Sequence, residues 1–532
     1  MRDRKEQYAF ALCMLVAVLS RCVLIADFPG GVGADEAFAG YEAFSIANYG
    51  IDSWEYSFPV YLTTWGGGMS ALNSYLMVPF IKLFGFSTLT IRLPQMLMGI
   101  LTVLVLYLLL KRTSDEKTAL LGMFLLAVSP WHIMISRYGM DANMAPAFLL
   151  LGVYFGVRGL EKEKYLLLSA LFWGLSLYTY AAVWIFVPVF LLLSVLYCLC
   201  TKKLKCSGWL FLSALLLIAL ALPLLLFVAV NLELMDEIIT PFLSIPQLVE
   251  FRGDELNLRE LPANIMLAIK ILISQNDYNI WNSIPQFGIY YLFSTPFVII
   301  GFIVAVANAV KGFREKRFTY DFVLLIWVFT AAVIAVLQRT NFNRANDILL
   351  ALFILLAKGI IWLCGKIQHH AMTAAVLVYA LCFIVFEGYY FTAYQDMISK
   401  RQLAGADDAL EFASQLYETG AYDLIYVTGQ LRHPQVLFYT QYPTEDYVYE
   451  VEWKNYPDKY LVAEYFGDYY WYEEEEDKDE WSIYVIRADE ASSYQKEGFC
   501  IEEFGYCAVA YFDETDEWDE TDEWDDIEVD EM

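Results

Sequence analysis

Two adjacent carboxylates, Asp35 and Glu36, are the residues of this 532-residue chain whose type and position point most directly to chemistry. They follow the first long apolar segment, in the stretch Gly-Gly-Val-Gly-Ala-Asp-Glu at residues 30–36. A carboxylate beside the hydrocarbon region of a membrane is costly unless it is paired or faces a polar cavity, so such a pair indicates a functional site. The alternative is structural: Asp35 caps the N-terminus of a helix over residues 37–48, where exposed amides favour anions.

A second carboxylate, Asp141, follows Arg137 in a later loop. The two residues are four apart, so on one helix they would form an ion pair worth only about 0.2–0.5 kcal/mol. The functional interpretation is that Asp141 joins Asp35 in one outward-facing pocket. Arg137 would then bias the ionisation of these carboxylates or bind a phosphate.

The elements that position these residues are membrane helices. Hydrophobic residues make up 58% of the chain and the mean hydropathy is +0.44, which excludes an ordinary soluble enzyme. Runs near the length of about 20 apolar residues that a bilayer requires predict eleven spans: 8–27, 89–110, 118–134, 143–157, 164–180, 182–200, 207–230, 288–310, 319–337, 345–364 and 371–393. The first span is expected to be an anchor rather than a cleaved signal peptide.

The positions of lysine and arginine predict the orientation in the cell membrane. Basic residues cluster before the first span and in alternate loops, whereas the segment 28–70 has none. Because positive residues concentrate in cytoplasmic loops, the N-terminus is expected inside. An odd number of spans then places the C-terminus, the loop with Asp35 and the loop with Asp141 outside.

The C-terminal part is expected to be a small extracytoplasmic α/β domain. We divide the chain into a transmembrane domain at 1–395, the α/β domain at 396–510 and an acidic disordered tail at 511–532, which carries two copies of Asp-Glu-Thr-Asp-Glu-Trp. From residue 396 onward there are 38 acidic and 8 basic residues, so the net charge of −28 resides in this outer part. Such a surface is compatible with cations or a basic partner, but more often it only keeps a domain soluble, and nothing in the sequence suggests nucleic-acid binding.

Motifs of soluble enzymes are missing from the sequence. There is no Walker A sequence, no Gly-x-Gly-x-x-Gly and no His-Glu-x-x-His. The Asp-x-Asp at 477–479 lies in an acidic run and not after a strand, so it does not resemble a metal clamp for a nucleotide sugar. If the protein handles sugars, the sequence favours a lipid-linked donor.

Several of these segments resemble the GT-C superfamily of polyprenyl-phosphate-dependent glycosyltransferases, in particular glycosyltransferase family 39, with its protein O-mannosyltransferases and aminoarabinose transferases. The resemblance depends on the following segments, all within the first 160 residues: Asp35-Glu36, Phe84-Gly85, Arg92-Leu93-Pro94, Ser129-Pro130-Trp131-His132, Ser136-Arg137-Tyr138 and Asp141. It implies a polytopic α-helical fold of GT-C type, with about eleven transmembrane helices and two surface helices in the first outer loop.

The resemblance also implies an activity, the inverting transfer of a sugar from polyprenyl phosphate to a protein, lipid or cell-envelope acceptor. Asp35 matches the catalytic base of the family, Glu36 would orient Asp35 or the acceptor, and Asp141 matches the second acidic position. Arg344 matches an arginine that binds the lipid phosphate, and Arg339 is a weaker candidate. Asp277 and Asn282, near the end of the outer loop 231–286, would gate the cavity or bind sugar hydroxyls.

Two differences restrict what can be transferred from the family. Related enzymes often carry His-Pro-Pro or Lys-Pro-Pro in the first outer loop, where this chain has Trp65-Gly66-Gly67-Gly68-Met69. The spacing from Arg137 to Asp141 is one residue shorter than in the protein mannosyltransferases, so the acceptor type is not carried over.

No cofactor is assigned, and the participation of a divalent cation stays open. The alternative function is a transporter or flippase of a lipid-linked sugar, which would also place charges in a membrane cavity.

Overall fold

The computed structural model describes residues 4–251, 258–367, 370–458, 460–471 and 478–512. Most of these residues are helical. The helices are α1 Arg4–Cys22, α2 Ala34–Asn48, α3 Leu72–Phe84, α4 Thr88–Thr113, α5 Glu116–Ala127, α6 Pro130–Ile135, α7 Asp141–Gly159, α8 Tyr165–Ser176, α9 Val183–Cys200, α10 Gly208–Asn231, α11 Leu261–Ser274, α12 Thr295–Arg314, α13 Tyr320–Leu337, α14 Asn346–Cys364, α15 Ala371–Tyr389, α16 Gln395–Gln402, α17 Ala406–Tyr417, α18 His433–Thr440, α19 Thr444–Glu450 and α20 Ala491–Lys496.

The predicted polytopic α-helical class is confirmed. Each of the eleven predicted spans contains a helix, and among the described residues seven helices are long and apolar enough to cross a membrane. The third predicted span is divided, because Pro130 begins a new helix after α5 ends at Ala127. The fifth gives only the 12-residue helix α8. The spans therefore differ more in length than the hydrophobic runs predict.

The first outer loop contains the two predicted surface helices. α2 covers the predicted segment and is buried along most of its length, while α3 begins at Leu72. Between them, β1 Tyr61–Leu62 and β2 Met69–Ser70 form a short antiparallel hairpin. Small residues and one glycine on α2 allow this close packing, and the Phe438 ring of α18 lies 3.1 Å from the position that a Cβ at Gly40 would occupy. α2 is thus enclosed between the membrane helices and the C-terminal part.

The C-terminal part forms a seven-stranded mixed sheet in the order β10-β11-β9-β5-β8-β7-β6. A separate two-stranded sheet pairs β3 Ile238–Ile239 with β4 Ser244–Ile245. The strands of the large sheet are β5 Leu424–Val427, β6 Glu452–Trp453, β7 Ala463–Phe466, β8 Tyr469–Trp471, β9 Ser482–Arg487, β10 Cys500–Phe504 and β11 Cys507–Tyr511. β5 runs parallel to both neighbours, β8 and β9, and the other pairings are antiparallel.

Helices cover the two faces of this sheet. On one face Ile425 and Val427 share a hydrophobic core with α17 and α18. On the other, Tyr484 and Ile486 pack against Tyr494 of α20. The alternation of inward and outward side chains along β5 and β9 produces these two cores. Most of the predicted tail lies outside the described residues, so its disorder and the domain boundaries stay predictions.

Candidate functional site

Asp35 is an exposed residue in the first turn of α2. The N-cap of this helix is Gly33, which has no side chain to accept a hydrogen bond. The interpretation of Asp35 as the capping residue is therefore wrong. Its Oδ1 atom accepts a hydrogen bond of 3.3 Å from Nε1 of Trp65, which lies where related enzymes often carry a histidine or lysine before two prolines.

Glu36, the next residue, has the opposite environment. It is 2% exposed, and its two oxygens accept hydrogen bonds of 2.9 Å each from Nε and Nη2 of Arg92. The backbone N–H of Gly139 donates to Oε1 at 2.7 Å. The Arg92 guanidinium also donates to the carbonyl oxygens of Ile25, Ala26, Pro29 and Gly31. These contacts favour a positioning role for Glu36 over contact with an acceptor: with Arg92 it fixes the turn that leads into α2.

Arg137 is also fully buried and binds the chain's own backbone. Its guanidinium donates to the carbonyl oxygens of Ser20, Val23, Leu24 and Phe28, and it lies 5.6 and 5.2 Å from the ring centres of Tyr390 and Phe391. The interpretation of Arg137 and Asp141 as a pair on one helix is wrong, because α6 ends at Ile135 and α7 begins at Asp141. The contacts of Arg137 favour a structural role over phosphate binding.

Asp141 lies at the start of α7 and is 5% exposed. It accepts hydrogen bonds from the backbone N–H groups of Ser70 at 3.2 Å and Ala142 at 2.6 Å. Trp65 contacts Asp35 and Ser70 contacts Asp141, so both carboxylates lie against the same short stretch of the first outer loop, residues 65–70. Gly139, two residues before Asp141, also binds Glu36.

Tyr138 lies near the carboxylates of the first outer loop and near Asp277. Burial raises the pKa of the Tyr138 hydroxyl, and the negative charges of Glu36, Asp35 and Asp277 raise it further. A charge acts in this way only on a group close to it. The Tyr138 hydroxyl is therefore near the carboxylates of Asp35, Glu36 and Asp277.

The loop before α14 completes this neighbourhood. Oδ2 of Asp277 accepts hydrogen bonds from the Phe342 backbone N–H at 2.9 Å and from Nδ2 of Asn282 at 2.8 Å. Arg344, two residues before α14, donates from Nη1 to the Arg339 carbonyl oxygen at 3.0 Å, and the Arg339 side chain is exposed. These contacts bring Asp277, Asn282 and the Arg344 loop together.

Buried polar atoms without a hydrogen-bond partner occur beside this loop. In the described part of the chain they include Oδ1 of Asn282, Oδ1 of Asn343 and both carboxyl oxygens of Asp347. Asn343 also approaches Sδ of Met140 through Nδ2 at 3.6 Å, which places it next to Asp141. Because buried polar groups are normally satisfied, such atoms indicate room for polar groups of a ligand or for water. Asp347 was not selected from the sequence, although a carboxylate in the first turn of an apolar helix is a detectable signal.

The C-terminal sheet domain also contributes to the surroundings of Asp35, which the sequence analysis did not anticipate. The Trp65 ring lies edge-on to the His433 ring of α18 at 5.0 Å, and the Trp65 carbonyl oxygen accepts a hydrogen bond from the Leu461 N–H at 3.0 Å. Burial lowers the pKa of His433 to about 3, so this side chain is neutral at physiological pH. Asp35 thus lies at the junction between the membrane helices and the C-terminal part.

A metal-binding cluster is not seen at this junction. Within the described ranges, no three His, Cys, Asp or Glu side chains come together in a group that could hold a metal ion.

Known proteins resemble this chain at the level of fold. A family model described as dolichyl-phosphate-mannose-protein mannosyltransferase matches residues 70–227, less than a third of the chain. A search of curated proteins gives no match. The crystal structure of ArnT from Cupriavidus metallidurans in the apo state aligns with a TM-score of 0.53 and 12% identity, over 94% of this chain and 97% of ArnT.

Two further crystal structures support the same fold. ArnT bound to undecaprenyl phosphate aligns with a TM-score of 0.51 and 12% identity, over 94% of this chain and 97% of ArnT. The Archaeoglobus fulgidus oligosaccharyltransferase in complex with Zn and sulfate gives a TM-score of 0.50 and 16% identity, over 81% of this chain and 61% of that protein. The fold is that of the GT-C glycosyltransferases, as the resemblance in the sequence implied.

Proposed function

We propose that this membrane protein is an inverting glycosyltransferase that moves a sugar from a polyprenyl-phosphate donor to a hydroxyl group of an acceptor on the outer face of the membrane. The observation that carries the proposal is the contact of both Asp35 and Asp141 with the loop 65–70. One exposed carboxylate and one buried carboxylate at the same surface suit a base and a group that orients substrate. The acceptor is a protein, a lipid or a cell-envelope polymer.

Asp35 is the proposed catalytic base. Its exposure allows an acceptor hydroxyl to reach it, whereas Glu36 is enclosed by Arg92. As the acceptor oxygen forms its bond to the anomeric carbon, the bond from that carbon to the phosphate oxygen breaks with its electron pair. The acceptor proton passes to Asp35 and polyprenyl phosphate leaves as an anion.

Arg344 is the proposed partner of the leaving phosphate, with Arg339 beside it. Guanidinium groups suit this anion because they donate two parallel hydrogen bonds. Thr340, Phe342 and Ala345, on either side of Arg344, help to line an apolar groove of about 190 Å³ whose other walls come from α11, α13 and α14. An apolar groove lined by the sequence neighbours of Arg344 suits the lipid chain of such a donor, and the bound undecaprenyl phosphate of ArnT supports this class of donor.

Asp141, Asp277 and Asn282 are proposed to hold the sugar. Oδ1 of Asn282 is one of the buried acceptors without a partner among the described residues, so a sugar hydroxyl could donate to it. Glu36 and Arg137 are proposed as positioning residues that fix the first outer loop.

The test compares wild type with Asp35→Asn and with Asp27→Asn. Asp27 is an exposed carboxylate in the same loop, so the control has the identical substitution. Each purified protein is supplied in lipid nanodiscs with labelled polyprenyl-phosphate sugars and a membrane extract as acceptor. We expect Asp35→Asn to reduce sugar transfer about 100-fold or more and Asp27→Asn to leave it unchanged.

Two outcomes would contradict the proposal. Equal release of polyprenyl phosphate by wild type and Asp35→Asn would contradict the assignment of the base. Movement of the labelled lipid-linked sugar between the leaflets of sealed proteoliposomes, with no transfer to any acceptor, would replace the enzyme with the flippase.

A further inference from the structure

The C-terminal sheet contains a crevice at the carboxyl ends of its two central parallel strands. β5 and β9 are adjacent, with Tyr426 opposite Tyr484 and Val427 opposite Val485. After β5 the chain continues to α18 on one face of the sheet, and after β9 it continues to α20 on the other face. Where the connections of neighbouring parallel strands diverge in this way, the gap between them is the usual ligand position in an open α/β sheet.

Two adjoining cavities occupy this position. One has a volume of about 550 Å³ and the other of about 720 Å³, and both are lined by Gln430 and Arg487. We call the pair of cavities the trough. Each volume lies in the range of about 300–1,000 Å³ that is usual for small-molecule sites.

The lining of the first cavity combines aromatic rings with hydrogen-bonding groups. The Tyr426 ring is partly exposed and stacks on buried Tyr484 at 5.3 Å, with Tyr494 beside it. Thr428 and Ser493 add hydroxyl groups. Aromatic surface together with groups that both donate and accept hydrogen bonds matches a sugar ring, which has apolar C–H faces and a rim of hydroxyls.

Most charges of the trough are neutralised by a neighbouring charge, which favours an uncharged ligand, and exposed Arg401 also lines the second cavity. Lys478 is paired with Glu497 at 2.8 Å, and Arg487 is paired with Asp489 at 2.7 Å. Lys400 also approaches Asp489, at 3.4 Å. The surrounding C-terminal part carries 38 acidic and 8 basic residues, so a polyanion would be repelled.

The second cavity extends from the sheet to the membrane part of the protein. Its lining includes Ile280, which lies between Asp277 and Asn282 in the chain. The Ile280 carbonyl oxygen accepts a hydrogen bond of 3.1 Å from the Tyr394 hydroxyl, just before α16. A ligand that fills the trough would therefore end at the loop that carries two of the candidate site residues.

We propose that the trough binds an uncharged oligosaccharide and that the bound oligosaccharide is the acceptor of the transfer reaction. The binding of the oligosaccharide is independent of the proposed function, whereas its role as acceptor rests on the proposed function. Its near end would reach the loop 277–282, and its remaining sugars would lie over Tyr426 and along Gln430.

Gly429 allows the trough to be blocked with little strain. It is exposed, a Cβ added there would meet no atom within 4 Å, and its φ is not in the left-handed region. Gly429→Trp therefore adds a bulky side chain at the wall of the cavity. Gly208→Trp is the matched control, since Gly208 at the start of α10 is equally open and lies outside the trough.

The experiment uses saturation-transfer NMR, with phosphorylated counterparts in parallel, to measure the binding of three uncharged tetrasaccharides, those of mannose, glucose and N-acetylglucosamine, to the full-length protein in nanodiscs. We expect at least one of them to bind to wild type, to Gly208→Trp and to Asp35→Asn, and none to Gly429→Trp. Gln430→Ala is expected to weaken binding about fivefold through the loss of one hydrogen bond.

Different outcomes would contradict the binding site, the acceptor role or the proposed function. Absence of binding by all three sugars at millimolar concentration, binding only of phosphorylated counterparts, or undiminished binding to Gly429→Trp would overturn the trough as a site for uncharged saccharide. Binding that is blocked by Gly429→Trp without any effect on sugar transfer by the same variant would overturn the acceptor role alone. A wild type that binds the sugar but transfers nothing to any acceptor would contradict the proposed function and leave the binding site standing.

Discussion

Adjacent residues in the first outer loop have different tasks because their side chains point to different environments. Asp35 is exposed, whereas Glu36 is 2% exposed and receives two hydrogen bonds from Arg92 and one from the Gly139 backbone. Taking two charges out of water is costly unless their hydrogen bonds are well satisfied, as they are in this pair. Of the two carboxylates, only Asp35 is therefore accessible to a substrate.

Arg92→Met tests the structural importance of this pair. The substitution leaves the Glu36 carboxylate buried without its cation and removes a hydrogen-bond donor from each of four backbone carbonyls. We expect a loss of about 3–5 kcal/mol in the free energy of unfolding, measured by thermal unfolding in detergent. The control is Arg112→Met in the same helix, whose partly exposed pair with Glu161 should contribute at most about 1 kcal/mol. Equal losses for the two variants would contradict a special role for Arg92.

At the scale of elements, the sequence predicts best what depends on local pattern. The surface helix predicted after Asp35 is confirmed as α2. The partners of Arg137 could not be predicted, because its guanidinium binds carbonyl oxygens more than 100 residues away in the chain. The contact of Trp65 with His433 also joins residues that are far apart in the chain, so it could not be predicted either. The spacing of apolar residues in the sequence predicts which residues share a helix face, but it does not predict which distant elements contact each other.

The first outer loop also contains a buried acidic pair that the sequence analysis did not select. Glu42 of α2 accepts hydrogen bonds from the backbone and hydroxyl of Ser53, and Asp52 is the adjacent residue in the chain. Burial raises the pKa of Asp52 to about 7, and burial together with the charge of Asp52 raises the pKa of Glu42 well above its usual value. Both carboxyl groups therefore bind protons more tightly in the folded state than in the unfolded state.

Asp52→Asn is expected to stabilise the protein at neutral and alkaline pH. Because the pKa of Asp52 is higher in the folded state, its favourable contribution is complete below about pH 4 and is lost as the pH rises to about 7. An amide keeps the Oδ1 atom that accepts from the N–H groups of Trp54 and Tyr56. Relative to wild type, we expect the free energy of unfolding to be nearly unchanged at pH 4 and about 1–4 kcal/mol higher at pH 8.

Thermal unfolding at a series of pH values measures this effect. Glu55→Gln is the control, since Glu55 is an exposed carboxylate of the same loop. The assignment would be wrong if Asp52→Asn changed stability by the same amount at pH 4 and pH 8, or if the control reproduced its pH dependence.

At the scale of the whole molecule, the C-terminal sheet domain and the membrane helices share one site. The Val32 N–H donates to the Tyr439 hydroxyl at 2.9 Å, and the hydroxyls of Ser45 and Thr444 are 2.7 Å apart. These contacts hold the sheet domain over α2, directly beside the turn that carries Asp35. The candidate site and the trough must therefore lie on the same side of the membrane, since both are attached to this junction.

The orientation predicted from the basic residues assigns that side to the exterior, and it can be tested with cysteine labelling. Cys206 is an exposed thiol in the loop that contains Lys202, Lys203 and Lys205, which is predicted to be cytoplasmic. Asp408 lies on the exposed side of α17. In intact cells with a Cys500→Ser background, a membrane-impermeant maleimide should label Asp408→Cys and should leave Cys206 unlabelled until the membrane is permeabilised. Cys200 is also exposed, so all variants carry Cys200→Ser, and Cys206→Ser then identifies the signal that appears only after permeabilisation. Labelling of Cys206 in intact cells, with Asp408→Cys protected, would invert the topology and move the proposed sugar transfer to the cytoplasmic face.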